Sequence, residues 1–131
     1  MQLERIDHVV FTVRDIDTTC DFYSRTLGVE VVTFAGGRKA LQIGSCKINL
    51  HQYMKELEPK AQNPAPGTQD ICLVTSTPMP EVLDQLRSAG VDILEGPVPR
   101  TGAMGPIESV YLRDPDGNLI EIACYPTPDS K

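Results

Sequence analysis

From Ile6 to Val13 apolar and polar positions alternate, with Ile6, His8, Val10 and Thr12 on one face and Asp7, Val9, Phe11 and Val13 on the other. That period of two predicts a strand carrying one imidazole. Asp15 then caps a helix running to Leu27, with Cys20, Phe22, Tyr23 and Leu27 as its apolar stripe and Gly28 as its stop. Three short strands are predicted next, about Val29 to Phe34, Lys39 to Ile43 and Lys47 to Tyr53, separated by the hairpin signals Gly36-Gly37 and Gly44-Ser45. On the last of these, Asn49 and His51 share a face opposite Ile48 and Leu50.

Residues 54–67 are polar and proline-rich and read as a surface linker. Beyond them the order of elements restarts. Asp70 to Thr75 is a predicted strand, and Thr77-Pro78 opens a helix with Val82, Leu83, Leu86 and Ala89 on its apolar side and Gly90 at its end. Strands follow near Val91 to Glu95, Glu108 to Arg113 and Leu119 to Tyr125. The last is fed by Asp114-Pro115-Asp116-Gly117-Asn118, strong turn chemistry in which proline presets φ and glycine accepts a positive one. Glu121 sits on the Leu119 and Ala123 face of that strand, where a buried carboxylate needs a cation, a metal or water.

A forward shift of 62 residues carries His8 to Asp70, Asp15 to Thr77, and Leu27-Gly28-Val29-Glu30-Val31 onto Ala89-Gly90-Val91-Asp92-Ile93. Strand, cap, helix, terminal glycine and next strand fall in one register, which predicts a duplicated βαβββ unit and an α+β fold. The expected layout is one domain with modules at about 4–54 and 68–126 and a linker at about 55–67. His51 and Glu121 differ by 70, so the second module is expected to carry about eight extra residues, placed in the Gly/Pro-rich stretch from Gly96 to Pro106.

The chain has 131 residues and a formal charge of −6, which argues against nucleic acid, whose binders cluster Lys and Arg to displace counterions. No run of about 18 apolar residues is present to span a bilayer, and the opening MQLERIDHVV reads as neither a signal nor a transit peptide. Cys20, Cys46, Cys72 and Cys124 are widely spaced without a CxxC pair. They read as buried free thiols in a reducing cytoplasm.

The repeat places His8 and Asp70 on the first strands of their modules and His51 and Glu121 on the last. Two imidazoles and two carboxylates supply the nitrogen and oxygen donors that suit a divalent first-row ion, and the carboxylates balance its charge. Taken singly, each of these residues reads as an ordinary solvated or hydrogen-bonded side chain; their joint placement points to a metal.

Through IDHVVFTV, FYSRTLG, INLH and RDPDGNLIEI the chain resembles the vicinal-oxygen-chelate superfamily of glyoxalase I, fosfomycin-resistance transferases, methylmalonyl-CoA epimerase, extradiol dioxygenases and bleomycin-binding proteins. KALQIGSCKINLH, PAPGTQDICLVT and EGPVPRTGAMGPI look closer to glyoxalase domain-containing protein 5. The resemblance implies incomplete barrels with a metal in the concave face, and commonly homodimers. It marks His8, His51 and Glu121 as ligands, with Asp70 bound directly or through water. Where the bacterial glyoxalase I pattern reads His, Glu, His, Glu, this chain reads His, His, Asp, Glu.

An ion so held (Zn, Ni, Co, Mn or Fe) would chelate two substrate oxygens and stabilise an enediolate, with Glu121 or Asp70 as general base, giving a lyase or isomerase. One alternative is a two-His-one-carboxylate iron dioxygenase. Others are thiol transfer, as in the fosfomycin enzymes, and a metal-free bleomycin-resistance-like binding protein. Arg100, in the Arg100-Thr101-Gly102-Ala103-Met104-Gly105-Pro106 segment, is expected either to meet a substrate carboxylate from a mobile lid or to lie in a plain connection. Arg38 and Lys39 read as a solvated hairpin; Asn49, Tyr53 and Tyr111 read as pocket-lining or filling residues; Met79 and Met104 carry no specific signal.

Overall fold

The computed structural model describes residues 1–127. Its elements run β1 (His8–Val13), α1 (Ile16–Leu27), β2 (Glu30–Phe34), β3 (Arg38–Ile43), β4 (Cys46–Gln52), β5 (Asp70–Val74), α2 (Met79–Ser88), β6 (Glu95–Gly102), β7 (Gly105–Arg113) and β8 (Leu119–Cys124). They form two compact units, Met1–Thr68 and Gln69–Lys131. Each unit is a βαβββ module with a four-stranded mixed sheet, in the orders β1-β4-β3-β2 and β5-β8-β7-β6. In both, the first strand pairs in parallel with the last and the remaining pairs are antiparallel. The α+β duplication read from the sequence is the architecture of the protein.

In the first unit Phe11, Val13, Leu41, Ile48 and Leu50 form the buried face, and α1 covers its sheet with Thr19, Tyr23 and Thr26. Asp15 caps the helix by accepting from the Asp17 and Thr18 amides, and Gly28 ends it at φ 68°. The helix stripe differs from the expected one: Cys20, Phe22 and Leu27 are only half-buried. Residues 19, 23 and 26 fall on one helical face, where threonine methyls suffice and Phe22 packs edge-on to the Tyr23 ring.

In the second unit Val110, Leu112, Ile120 and Ile122 are buried, as are Met79, Val82 and Leu86 of α2. Thr77 does not cap α2. Pro78 is the N-cap, without a side-chain hydrogen bond, and Met79 begins the helix as part of the core, a role its sequence context did not signal. No strand forms at 91–94, although the Leu94 amide bonds to the Tyr111 carbonyl at 2.9 Å.

The largest correction concerns the Gly/Pro-rich stretch. Its residues build β6 and the hairpin into β7, with Gly102 facing Gly105 in register, so Arg100 lies on a strand and not on a lid. Pro97 and Pro99 are tolerated because β6 is the edge strand of its sheet, where one row of amides has no ladder partner to lose.

Asn118, fully buried, joins the Asp-Pro-Asp-Gly-Asn turn to the start of β5. Its Oδ1 accepts from the Gln69 amide at 2.9 Å and its Nδ2 donates to Asp114 Oδ2 at 2.8 Å. Asp114 Oδ1 in turn accepts from the Asp116 and Asn118 amides. With the Leu119 amide bonded to the Gln69 carbonyl, this network fixes Asp70 opposite Leu119 and Cys72 opposite Glu121.

Candidate functional site

Paired residues in neighbouring strands share a face, so the ladders determine which candidate groups can meet. In the first unit His8, Val10 and Thr12 of β1 stand beside Lys47, Asn49 and His51 of β4. Next come Gln42, Ala40 and Arg38 of β3, then Glu30, Val32 and Phe34 of β2. In the second unit Asp70, Cys72 and Val74 of β5 stand beside Leu119, Glu121 and Ala123 of β8, and Tyr111 and Ser109 of β7 follow.

His8 is level with Lys47 and Asp70 is level with Leu119. Two residues on from Lys47 is Asn49, and two on from Leu119 is Glu121. The counterpart of Glu121 in the duplication is therefore Asn49, an offset of 72, and His51 corresponds to Ala123. This corrects the expected equivalence of His51 with Glu121 and raises the insertion from eight residues to ten, the difference between 72 and 62. Sequence reasoning had Asn49 only as a lining residue. Aligning the two parallel strand pairs, instead of matching ligand types, would have found it.

His8 and His51 share a face but not a place. His51 pairs with Thr12, four residues along the ladder from His8, or about 13 Å at roughly 3.3 Å per residue. His51 instead lines a cavity of about 230 Å3 with Ile16, Arg38, Leu50 and Leu57. Burial there, and then the Arg38 charge, hold its pKa below 6.5 against an opposing pull from Glu56. The folded state thus resists protonating His51 while the unfolded chain does not. Stability is expected to be full above pH 6.5 and to fall as acid takes the solution below it; His51→Gln should flatten that part of a urea-midpoint against pH curve.

His8 is arranged as a ligand imidazole commonly is. Its Nδ1 lies 2.8 Å from Asp7 Oδ1. The His8 hydrogen bond, followed by the Arg5, His8 and Lys47 charges, lowers the Asp7 pKa, so Asp7 is an acceptor and Nδ1 must carry the proton. In neutral His8 the Nε2 lone pair is then left free, the tautomer that a metal needs. Asn49 is 5% exposed and its Oδ1 has no hydrogen-bond partner, which is costly unless a ligand completes it.

Glu121 is held in place. The hydroxyl of Ser109, itself fully buried, donates to Glu121 Oε2 at 2.5 Å. Cys72 faces Glu121 across the ladder, and its thiol pKa is pushed up to about 11, first by packing around the sulfur and then by the charge and hydrogen bond of Glu121, with Asp70 adding to it. Because Cys72 as a residue is exposed, the Glu121 contacts are the causes the geometry supports best. Cys72 therefore stays protonated at neutral pH and serves Glu121 as a donor. Asp70 is exposed on the same face, two residues from Cys72.

Arg100 is already committed. Its Nε donates to the Tyr111 hydroxyl at 3.0 Å, Nη1 to the Pro99 carbonyl at 2.9 Å, and Nη2 meets Glu95 at 3.2 Å. A cavity of about 690 Å3 in the second unit, lined by Val74, Met79, Ile107 and Tyr125 among others, touches none of Asp70, Cys72 or Glu121.

Within either unit, no three His, Cys, Asp or Glu groups come together as a metal cluster among the described residues. Taken separately, His8 in the first unit presents an oriented imidazole and Glu121 in the second an anchored carboxylate, each a donor type that suits a divalent ion. No helix among the described residues is long and apolar enough to cross a membrane.

Comparison with known proteins agrees with this architecture. The chain is 57% identical over 125 residues to Virulence protein STM3117 of Salmonella typhimurium, covering 95% of this chain and 87% of that protein. It is 53% identical to Glyoxalase domain-containing protein RDO1 of Mycosarcoma maydis, covering 95% and 70%. A solved integron cassette protein from V. cholerae superposes with a TM-score of 0.93 at 51% identity, over 95% of this chain and 98% of that one. Residues 5–122 match a family model, and the chain belongs to the Glyoxalase/Bleomycin resistance protein/Dioxygenase superfamily.

Proposed function

We propose that the chain is a metal-dependent small-molecule enzyme of the glyoxalase type, a lyase or isomerase. The observation that carries this reading is the Asp7–His8 pair, in which a carboxylate fixes the tautomer of an exposed imidazole and leaves Nε2 as a free donor. His8 in the first unit and Glu121 and Asp70 in the second are assigned as donors to a divalent ion; the ladder register argues against His51. When bound, a divalent ion would polarise adjacent substrate oxygens as a Lewis acid.

The remaining chemistry belongs to the chain. Ser109 donates to Glu121 Oε2, which orients the carboxylate and leaves its other oxygen to act as a ligand or, once released from ligation, to receive a proton from substrate. Cys72, kept as a thiol, adds a donor that steadies the same group without competing as a nucleophile. Tyr111 stands beside Glu121 and is fixed by Arg100, so the row Cys72, Glu121, Tyr111 is a rigid wall. The reading includes a homodimer and a reducing, cytoplasmic setting, in which the free thiols of Cys20, Cys46, Cys72 and Cys124 would persist.

The test is elemental analysis of purified protein by inductively coupled plasma spectrometry, together with His8→Ala. Stoichiometric nickel, cobalt or zinc that is lost in His8→Ala is the expected result. Iron with oxygen consumption would turn the reading to a dioxygenase, and protein free of any stoichiometric metal would turn it to a binding protein of the bleomycin-resistance kind.

A further inference from the structure

The His8 face of the first unit carries two cations that the enzyme reading does not use. Arg38 Cζ lies 4.8 Å from the centroid of the Phe34 ring and Lys47 Nζ lies 3.4 Å from it. Neither cation forms an ion pair with a carboxylate among the described residues. Arg100 of the second unit differs in this respect, since Glu95 answers its charge.

The register shows what the two cations surround. Lys47 is level with Gln42 and Glu30, whereas Phe34 is level with Arg38. The level of Asn49, Ala40 and Val32 lies between those of Lys47 and Phe34. Ala40, with almost no side chain, pairs with Asn49, and both are buried. The cation–π contacts keep both charges over this patch instead of in bulk water. On the level between them, Asn49 Oδ1 is buried without a donor. Two cations without an ion-paired carboxylate call for an oxyanion, and an unanswered acceptor calls for a hydroxyl or other donor.

We propose that this face binds a small organic acid, its oxyanion held between Arg38 and Lys47 while a hydroxyl of the same molecule donates to Asn49 Oδ1. The inference rests on the enzyme reading only in naming hydroxy acids as its substrate class; the binding itself needs no metal. It corrects the expectation that Arg38 belongs to a solvated hairpin, because Phe34 draws its guanidinium onto the His8 face.

The test is calorimetric titration of the purified protein with lactate, with propionate, which lacks the hydroxyl, and with methyl lactate, which lacks the charge. Lactate should bind more tightly than either. Arg38→Gln and Lys47→Met should each weaken lactate binding by about tenfold or more, the scale of a charge-assisted hydrogen bond. Arg38→Lys and Lys47→Arg should restore most of it. Asn49→Leu should remove the preference for lactate over propionate; should that variant fail to fold, Asn49→Asp, which keeps the shape and repels an anion, should depress lactate binding instead.

The titration is repeated after chelation, so that loss of a metal and loss of this subsite are read separately. Lactate binding that survives chelation and still depends on Arg38 and Lys47 supports the subsite even if the enzyme reading fails. Equal binding of the three probes would overturn it, as would lactate binding that vanishes on chelation and changes less than about twofold in Arg38→Gln and Lys47→Met.

Discussion

Gly96→Ala should unfold the protein at a temperature about 10 °C lower, through a loss of about 3 kcal/mol. Gly96 has φ 112°, a conformation that side chains rarely adopt, and a Cβ there would lie 2.5 Å from the Ser109 carbonyl oxygen and 2.9 Å from Val110 Cα. Both are backbone atoms of β7, so neither can rotate away. The ladder is already irregular between Glu95 and Val98, and a methyl group would have to push the strands apart at that bulge. Gly37→Ala is the control: its φ is 100° but nothing lies within 4 Å of the added carbon, so it carries the backbone strain alone. It should cost about 1 kcal/mol. Equal melting temperatures for the two variants would remove the steric argument. Because Ser109 is the residue pushed, Gly96→Ala should also loosen Glu121 in whatever fraction remains folded.

Glu121→Gln should cost the protein at least about a hundredfold in metal affinity, more than the 10- to 100-fold typical when only a supporting residue is lost. Glutamine keeps the shape and can still accept from Ser109, so the fold should survive while the anionic donor is gone. Ser109→Ala separates ligation from orientation. Glu121 would keep its charge but lose the 2.5 Å hydrogen bond that fixes Oε2, and about tenfold of affinity should go with it. Competition against a fluorescent chelator measures both, independently of any catalytic assay. Unchanged affinity in Glu121→Gln would remove Glu121 from the ligand set and leave the architecture untouched.

The sequence by itself determined the duplicated module. The 62-residue shift aligns short-range signals: a cap at Asp15, a left-handed stop at Gly28, a period of two from His8 to Val13, and a turn built on Asp114 and Asn118. Such signals are local, so they survive without knowledge of what packs on what. The same logic placed Glu121 on the Leu119 face of its strand but read Cys72 as a buried thiol, whereas it is exposed and pairs with Glu121.

Pairing was decided only by the tertiary structure. Strands β1 and β4 are parallel and joined through a helix and two further strands, so nothing local sets their register, and a two-residue error keeps every side chain on its face. That is why His51 could be taken for the partner of Glu121 when the ladder gives Asn49. Edge position is equally invisible along a chain: Pro97 and Pro99 argue for a loop until the sheet shows that β6 has a free side. The cations of Arg38 and Lys47 likewise gained a meaning only when both were found over the Phe34 ring, a contact between residues on three different strands.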